Sequence, residues 1–251
     1  VAFILIFLIG LNLFSIDSHA QVSNESFNDV SYQQDVYNQS YDLYLEKKQI
    51  HSQYNSITTE KELLDTIKTA LTNREKLLSS YFLHLRASMD TYKPISPDLT
   101  GQVQRQLLNH NLWLTNQSKQ IDKIQNKIQL DDYNQTFFQR YIQIQTSMAT
   151  SRTQNQINNQ QSVVNQIKDL ILQLKAEHQL DQQAQNWISQ IDTNLQTCQL
   201  YLTEAYKETQ TKQNTRKFND FYPDAIDQIS NSKQILTKII LDLQSLLKKF
   251  S

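Results

Sequence analysis

Five histidines (His19, His51, His84, His110 and His178), one cysteine and scattered carboxylates are the residues here suited to proton-transfer, nucleophilic or metal chemistry. A carboxylate-bridged metal pair in a helical bundle needs Glu-x-x-His on facing helices, so that both ligands project from one side. The residues three before His51, His84, His110 and His178 are Lys48, Tyr81, Leu107 and Lys175, so that spacing is missing. HExxH, which places two zinc ligands one helical turn apart, does not occur either. Cys198 lies between Leu195 and Leu202 on an apolar seam, where burial raises a thiol's pKa and leaves it inert. A lone cysteine also excludes a disulfide framework and any site built on two thiolates. Phosphate-cradling loops need several glycines, and the chain has only Gly10 and Gly101. The acidic pairs Asp131–Asp132 and Glu60–Glu62 fall at expected helix starts, where the helix dipole accounts for them. These residues assign no catalytic site, no metal site and no cofactor.

Binding chemistry has a little more to work with. Tyr37, Tyr41 and Tyr44 recur at four- and three-residue steps, which puts three amphipathic rings on one helical stripe. His110 and Trp113 stand close together on a later segment, and His110 and Gln117 interrupt its apolar face. These five residues, Tyr37, Tyr41, Tyr44, His110 and Trp113, are the candidate contacts for a ligand or partner. The same spacing equally suits half-buried packing between helices. Four N-x-S/T sequons, at Asn24, Asn38, Asn116 and Asn134, are coincidental in so Asn-rich a chain.

The elements that carry these residues are helices. Two glycines and three prolines in 251 residues cannot supply the turns of a sheet protein. Apolar residues instead recur at helical spacing along the chain. A first helix is expected over 26–56. A second opens on Thr59-x-x-Glu62, read as a capping box, and carries Leu64, Ile67, Leu71, Leu78, Tyr81 and Leu85, with Arg74 breaking the stripe. The loop 93–100 (KPISPDLT) ends it, with Ser96 as cap and Pro97 as first residue of a third helix running to about Leu130. Asp131 or Asp132 is expected to cap the fourth. That helix has good apolar halves but a polar middle, 149–162 (ATSRTQNQINNQQS), expected to bridge through solvent or fray. After a break near His178–Asp181, a fifth helix carries Ala184, Ile188, Ile191, Leu195, Cys198, Leu202 and Ala205. Pro223 marks the start of the last, which runs to Phe250. The expected fold is all-α: an elongated antiparallel bundle of five to six long helices with coiled-coil-like packing. It could divide into two packed halves, 26–148 and 163–250, joined through 149–162.

Residues 1–14 are nearly continuous apolar sequence, followed by SIDSHA and a polar stretch. This reads as a secretory signal peptide over 1–20, with Ser18 and Ala20 at the −3 and −1 positions and Gln21 as the new N-terminus. An uncleaved anchor is the alternative, although the run is shorter than the ~20 residues that span a bilayer. No second membrane span follows in 21–251. Net charge is −1 with signs interspersed, which argues against nucleic acid as a partner. Gln and Asn make up about a fifth of the chain and take the place of charge on its helical faces.

Within 37–92, the pattern Tyr41-x-x-Tyr44-Leu45, Thr59-x-x-Glu62 and Arg74-x-x-Leu77-Leu78-x-x-Tyr81-Phe82-x-x-Leu85-Arg86 resembles uncharacterised exported helical-bundle proteins of small uncultivated bacteria. The resemblance covers about a fifth of the chain and consists mostly of packing residues. It implies an exported helical bundle and transfers no functional residue. The expected role is therefore a non-catalytic structural or protein–protein interaction protein of the cell envelope or surface. Its partners would be other proteins or a second copy of the chain. A module that binds a small molecule or peptide between helices comes second, and an enzyme third.

Overall fold

The computed structural model describes the backbone of residues 24–177, 179–212 and 218–248 and the side chains of 28–177, 179–210 and 222–248. The leader 1–20 with its cleavage point, His178 and the last residues 249–251 lie outside them. Six helices account for nearly all of the described chain: α1 Asn24–Tyr54, α2 Ile57–Met89, α3 Pro97–Ile121, α4 Lys127–Glu177, α5 Gln182–Lys212 and α6 Phe218–Leu247. Among the described residues there is no strand, and no helix is long and apolar enough to cross a membrane. The all-α helical bundle expected from the sequence is the observed fold.

Local chemistry sets the helix ends. Asn55 closes α1 in the left-handed region (φ 42°), which Asn tolerates better than most residues, and its N–H donates to His51 O at 2.8 Å. Ser56 then caps α2, with Thr59 N–H donating to its hydroxyl at 3.2 Å and its own N–H donating to Thr59 Oγ1 at 3.1 Å. The capping box is thus Ser56 with Thr59, three residues upstream of the expected Thr59 with Glu62. Ser96 accepts from Leu99 N–H as α3 begins at Pro97, as the loop's composition predicts. Two expected boundaries shift. α3 ends at Ile121 rather than Leu130, and α4 begins at Lys127, capped by Asn126 (Gln129 N–H to Oδ1, 3.0 Å) rather than by Asp131 or Asp132. Ile124 in the intervening turn is buried, so apolar periodicity carried through a break the backbone makes. α6 starts at Phe218, with Pro223 inside it rather than at its head. Asp181 caps α5 by accepting from Ala184 N–H at 2.8 Å.

The chain forms two compact units. One comprises residues up to Thr91 with Gln104–Ile144, and the other Tyr92–Val103 with the chain from Gln145 onward. In the first, the contacts run antiparallel. Lys47 pairs with Glu62 and His51 with Thr59 between α1 and α2. Lys68 reaches Asp122 O, Ser79 bonds Asn111 and Gln104 bonds Asp90 between α2 and α3. Trp113 packs its ring tilted against Phe137 between α3 and α4. In the second, Lys168 with Gln199 and Lys175 with Asp192 give the same sense for α4 and α5. The core of the second unit is one continuous cluster from Ile157 through Val164, Ile171, Ile188, Leu195, Leu202 and Leu236 to Leu246.

The polar middle of α4 departs most from the sequence reading. It is neither frayed nor solvent-bridging: Thr150, Ser151, Thr153, Gln154, Ile157 and Asn158 are all buried. It lies within the second unit, and the division falls between Ile144 and Gln145, inside a helix that runs through it unbroken. Tertiary partners supply what the stretch lacks in apolar residues. Ile95 N–H from the 93–96 loop donates to Asn158 Oδ1 at 3.0 Å, and Gln160 Nε2 donates to Ile229 O on α6 at 3.1 Å. Helical periodicity reports how apolar a face is, not what covers it.

Candidate functional site

The five candidate contacts all fall in the first unit, and the helices absorb most of them into packing. Tyr37, Tyr41 and Tyr44 are buried, with ring centroids 6.2 Å apart for Tyr37–Tyr41 and 5.8 Å for Tyr41–Tyr44. Burial raises the pKa of all three phenols. His110 is buried against Phe82 at 5.9 Å, and burial with the nearby Arg140 charge pushes its pKa down to about 4. An imidazole so placed stays neutral across the physiological range. Trp113 is half-buried with its ring 5.9 Å from that of Phe137. The stripe on α1 is therefore a buried seam rather than an exposed aromatic face. Cys198 is buried in the second unit with its sulfur 3.0 Å from Ser232 Oγ, and burial raises its pKa as its seam position predicts.

The first unit also buries two charges that the sequence reading did not assign. Arg74, noted only as a break in the α2 stripe, is 3% exposed, and so is Glu75. The Arg74 guanidinium lies over the Phe137 ring, 3.6 Å from its centroid, in a desolvated cation–π contact. Tyr37 and Tyr141 both act on its charge. Its Nη2 stands 4.0 Å from Glu75 Oε1, at the limit of an ion pair and beyond hydrogen-bond reach. Both Glu75 oxygens are buried without a hydrogen-bond partner. Burial, opposed only by Arg74, pushes the Glu75 carboxyl up to about 7. The signal was present in the spacing: Glu75 lies four residues after Leu71 and three before Leu78, both buried, so it shares their face.

A groove about 350 Å³ in volume lies between α1, α2 and α3, with Glu75 among its lining residues but both carboxylate oxygens buried beneath it. Its walls include Asp29 and Gln33 from α1, Thr72, Lys76, Ser79 and Ser80 from α2, and Leu114, Thr115 and Ser118 from α3. The arrangement brings Tyr37, Arg74, Phe137 and Tyr141 into one buried band, with half-buried Trp113 against Phe137 and Glu75 beside Arg74. His110 packs one turn away from Trp113. Among the described residues no group of three or more His, Cys, Asp or Glu side chains could hold a metal ion. No protein-family model, curated protein or solved structure matches the chain.

Proposed function

We propose that this protein is a non-catalytic structural and interaction protein that works outside the cytoplasmic membrane, in the cell envelope or at the cell surface. The observation that carries the reading is where its large apolar side chains lie. Leu83 on α2 and Leu108 and Leu112 on α3 are exposed, and the Ser79–Asn111 hydrogen bond between the antiparallel helices sets Leu83 level with Leu108, with Leu112 one turn further along α3. Exposed large apolar side chains on a polar helical surface offer another protein apolar area to cover. The side chains best suited to chemistry point the other way: His110 is held neutral and Cys198 is buried. The polar faces rich in Gln, Asn and Thr hydrogen-bond without strong charge, which suits lateral association at an envelope.

Cross-linking from Leu112 and sedimentation of the purified protein test this. A partner or second copy should cross-link at Leu112, and Leu83→Ser with Leu112→Ser should abolish it while helicity and melting temperature hold. A chain that stays monomeric and cross-links to nothing in its own envelope overturns the reading. Export is tested separately, by N-terminal sequencing of the native protein, which should begin at Gln21.

A further inference from the structure

We infer that the groove between α3 and α4, beside the turn that joins them in the first unit, is a binding site for a neutral saccharide, a mono- or disaccharide unit of an uncharged glycan. The groove measures about 370 Å³, within the size range of small-molecule sites. Gln117 and Gln120 enter it from the last turns of α3, and Gln129, Asp132 and Thr136 from the first turns of α4. Steps of three and four residues put each set on one helical face. The turn between them is held by Lys123 N–H to Gln120 O and Ile124 N–H to Ile121 O, both 3.1 Å, and by the Asn126 cap on Gln129 N–H.

The walls offer hydrogen bonds in both directions, mostly from neutral groups. Gln129 Oε1 accepts from Gln125 N–H at 2.7 Å, and Gln120 Oε1 accepts from Lys123 Nζ at 3.1 Å. Each of these carboxamides therefore keeps its amide N–H groups for a ligand. Thr136 donates its proton to Asp132 O at 3.0 Å and presents lone pairs. The Asp132 carboxylate accepts, and the Gln117 amide can do either. Gln120, Gln129, Asp132 and Thr136 are exposed and Gln117 is half-buried, so all five are reachable from solvent. A hydroxyl both donates and accepts, so a ligand carrying several hydroxyls satisfies such a mixed wall.

Charge and apolar area narrow the class further. Lys123 and Asp132 supply one charge of each sign to the groove, and neither forms an ion pair among the described residues. With no net charge the groove does not select an anion or a cation. Ile124 and Tyr133 close its floor and are both buried, the Tyr133 hydroxyl included. Peptides and aromatic ligands bind by filling apolar pockets, and this floor exposes too little to fill. Recognition is left to hydrogen bonds from the walls, and an uncharged polyhydroxylated ligand fits that requirement. The site is distinct from the exposed leucines of α2 and α3 and does not depend on what covers them.

Binding of the full chain to an array of immobilised neutral and acidic glycans tests the proposal, because multivalent display makes weak contacts readable. Retention on neutral glycans, competed by the same saccharide free in solution, is the expected result. Gln120→Glu and Gln129→Glu keep the oxygens that Lys123 and Gln125 use and remove the amide donors, so each should weaken binding at least about threefold. Asp132→Ala should weaken it in the same way. Gln53→Glu, exposed on α1 and outside the groove, adds the same charge and should leave binding unchanged. All four positions are exposed, so circular dichroism and melting temperature should hold for every variant. No retention on any neutral glycan, or retention confined to acidic ones, overturns the proposal. So does equal retention by the wild type and both groove glutamate variants, or a loss with Gln53→Glu that matches theirs.

Discussion

Glu75 and His110 are buried in the same unit, and their titrations pull its stability in opposite directions. Glu75 ionises near 7 in the folded chain against an ordinary 4.5. Between those values the folded protein holds a proton that the unfolded chain releases, so stability is full below the window and is lost as pH rises through 7. His110 ionises near 4 in the folded chain against an ordinary 6.5. Its contribution is full above 6.5 and is lost as pH falls through 4. The windows overlap, so the wild type should show a shallow dependence of stability on pH between about 4.5 and 6.5. Urea unfolding across that range should resolve the two. Glu75→Gln should leave a stability that climbs with pH, and His110→Gln one that falls, each by on the order of 1–3 kcal/mol. Arg74 belongs to the same balance. Arg74→Ala strips Glu75 of its one nearby cation and Phe137 of its stacking partner, and should cost about 3–5 kcal/mol. Arg74→Met combined with Glu75→Leu removes both charges at similar volume and should recover most of that loss. Equal destabilisation by the single and double variants would mean that Arg74 acts through packing alone.

At the scale of the element, α4 is the informative helix. Its middle is polar in sequence and buried in the fold, held by the Ile95 N–H of the 93–96 loop at Asn158 and by Gln160, which donates to the Ile229 carbonyl on α6. Both amide atoms of Gln154 and the hydroxyl of Thr150 are buried there without a hydrogen-bond partner. Such groups keep their desolvation cost, so Gln154→Leu should raise the unfolding free energy by about 1 kcal/mol or more, read by urea denaturation. Burial also reverses what composition alone suggests for local opening. Amides from Thr150 to Asn158 should exchange about as slowly as those from Ile188 to Leu202. Fast exchange confined to the polar run would show that its buried contacts contribute little. The α1–α2 link teaches the same lesson on a smaller scale: Asn55 and Ser56 turn the chain in two residues because one tolerates a left-handed backbone and the other caps the next helix.

At the scale of the whole molecule, two units share α4 as a continuous helix, and each holds one of the two tryptophans, Trp113 and Trp187. Fluorescence can therefore follow them separately, with Trp187→Phe leaving the first unit's signal and Trp113→Phe the second's. Unravelling either unit frees one end of the helix that the other depends on, so the two urea transitions should coincide. Gln145→Pro, which breaks the helical ladder at the division, should separate them. Transitions already separate in the wild type would mean that the shared helix does not couple the units.

The sequence by itself determined that the chain is helical, roughly where each helix lies, and that Cys198 would be buried on an apolar seam. These follow from local quantities: glycine and proline content, the period of apolar residues, and capping side chains within a few positions of one another. It also marked Arg74 and His110 as polar residues on apolar faces. Tertiary structure decided what those residues meet. Whether Tyr37, Tyr41 and Tyr44 form an exposed stripe or a buried seam depends on which helix covers them, and periodicity is the same in both cases. The burial of 149–162 depends on a loop from residues 93–96 and a carbonyl on α6, more than fifty positions away in either direction. Glu75 became a buried carboxyl without a hydrogen-bond partner only through the packing of its helix against its neighbours, which spacing along one helix does not report.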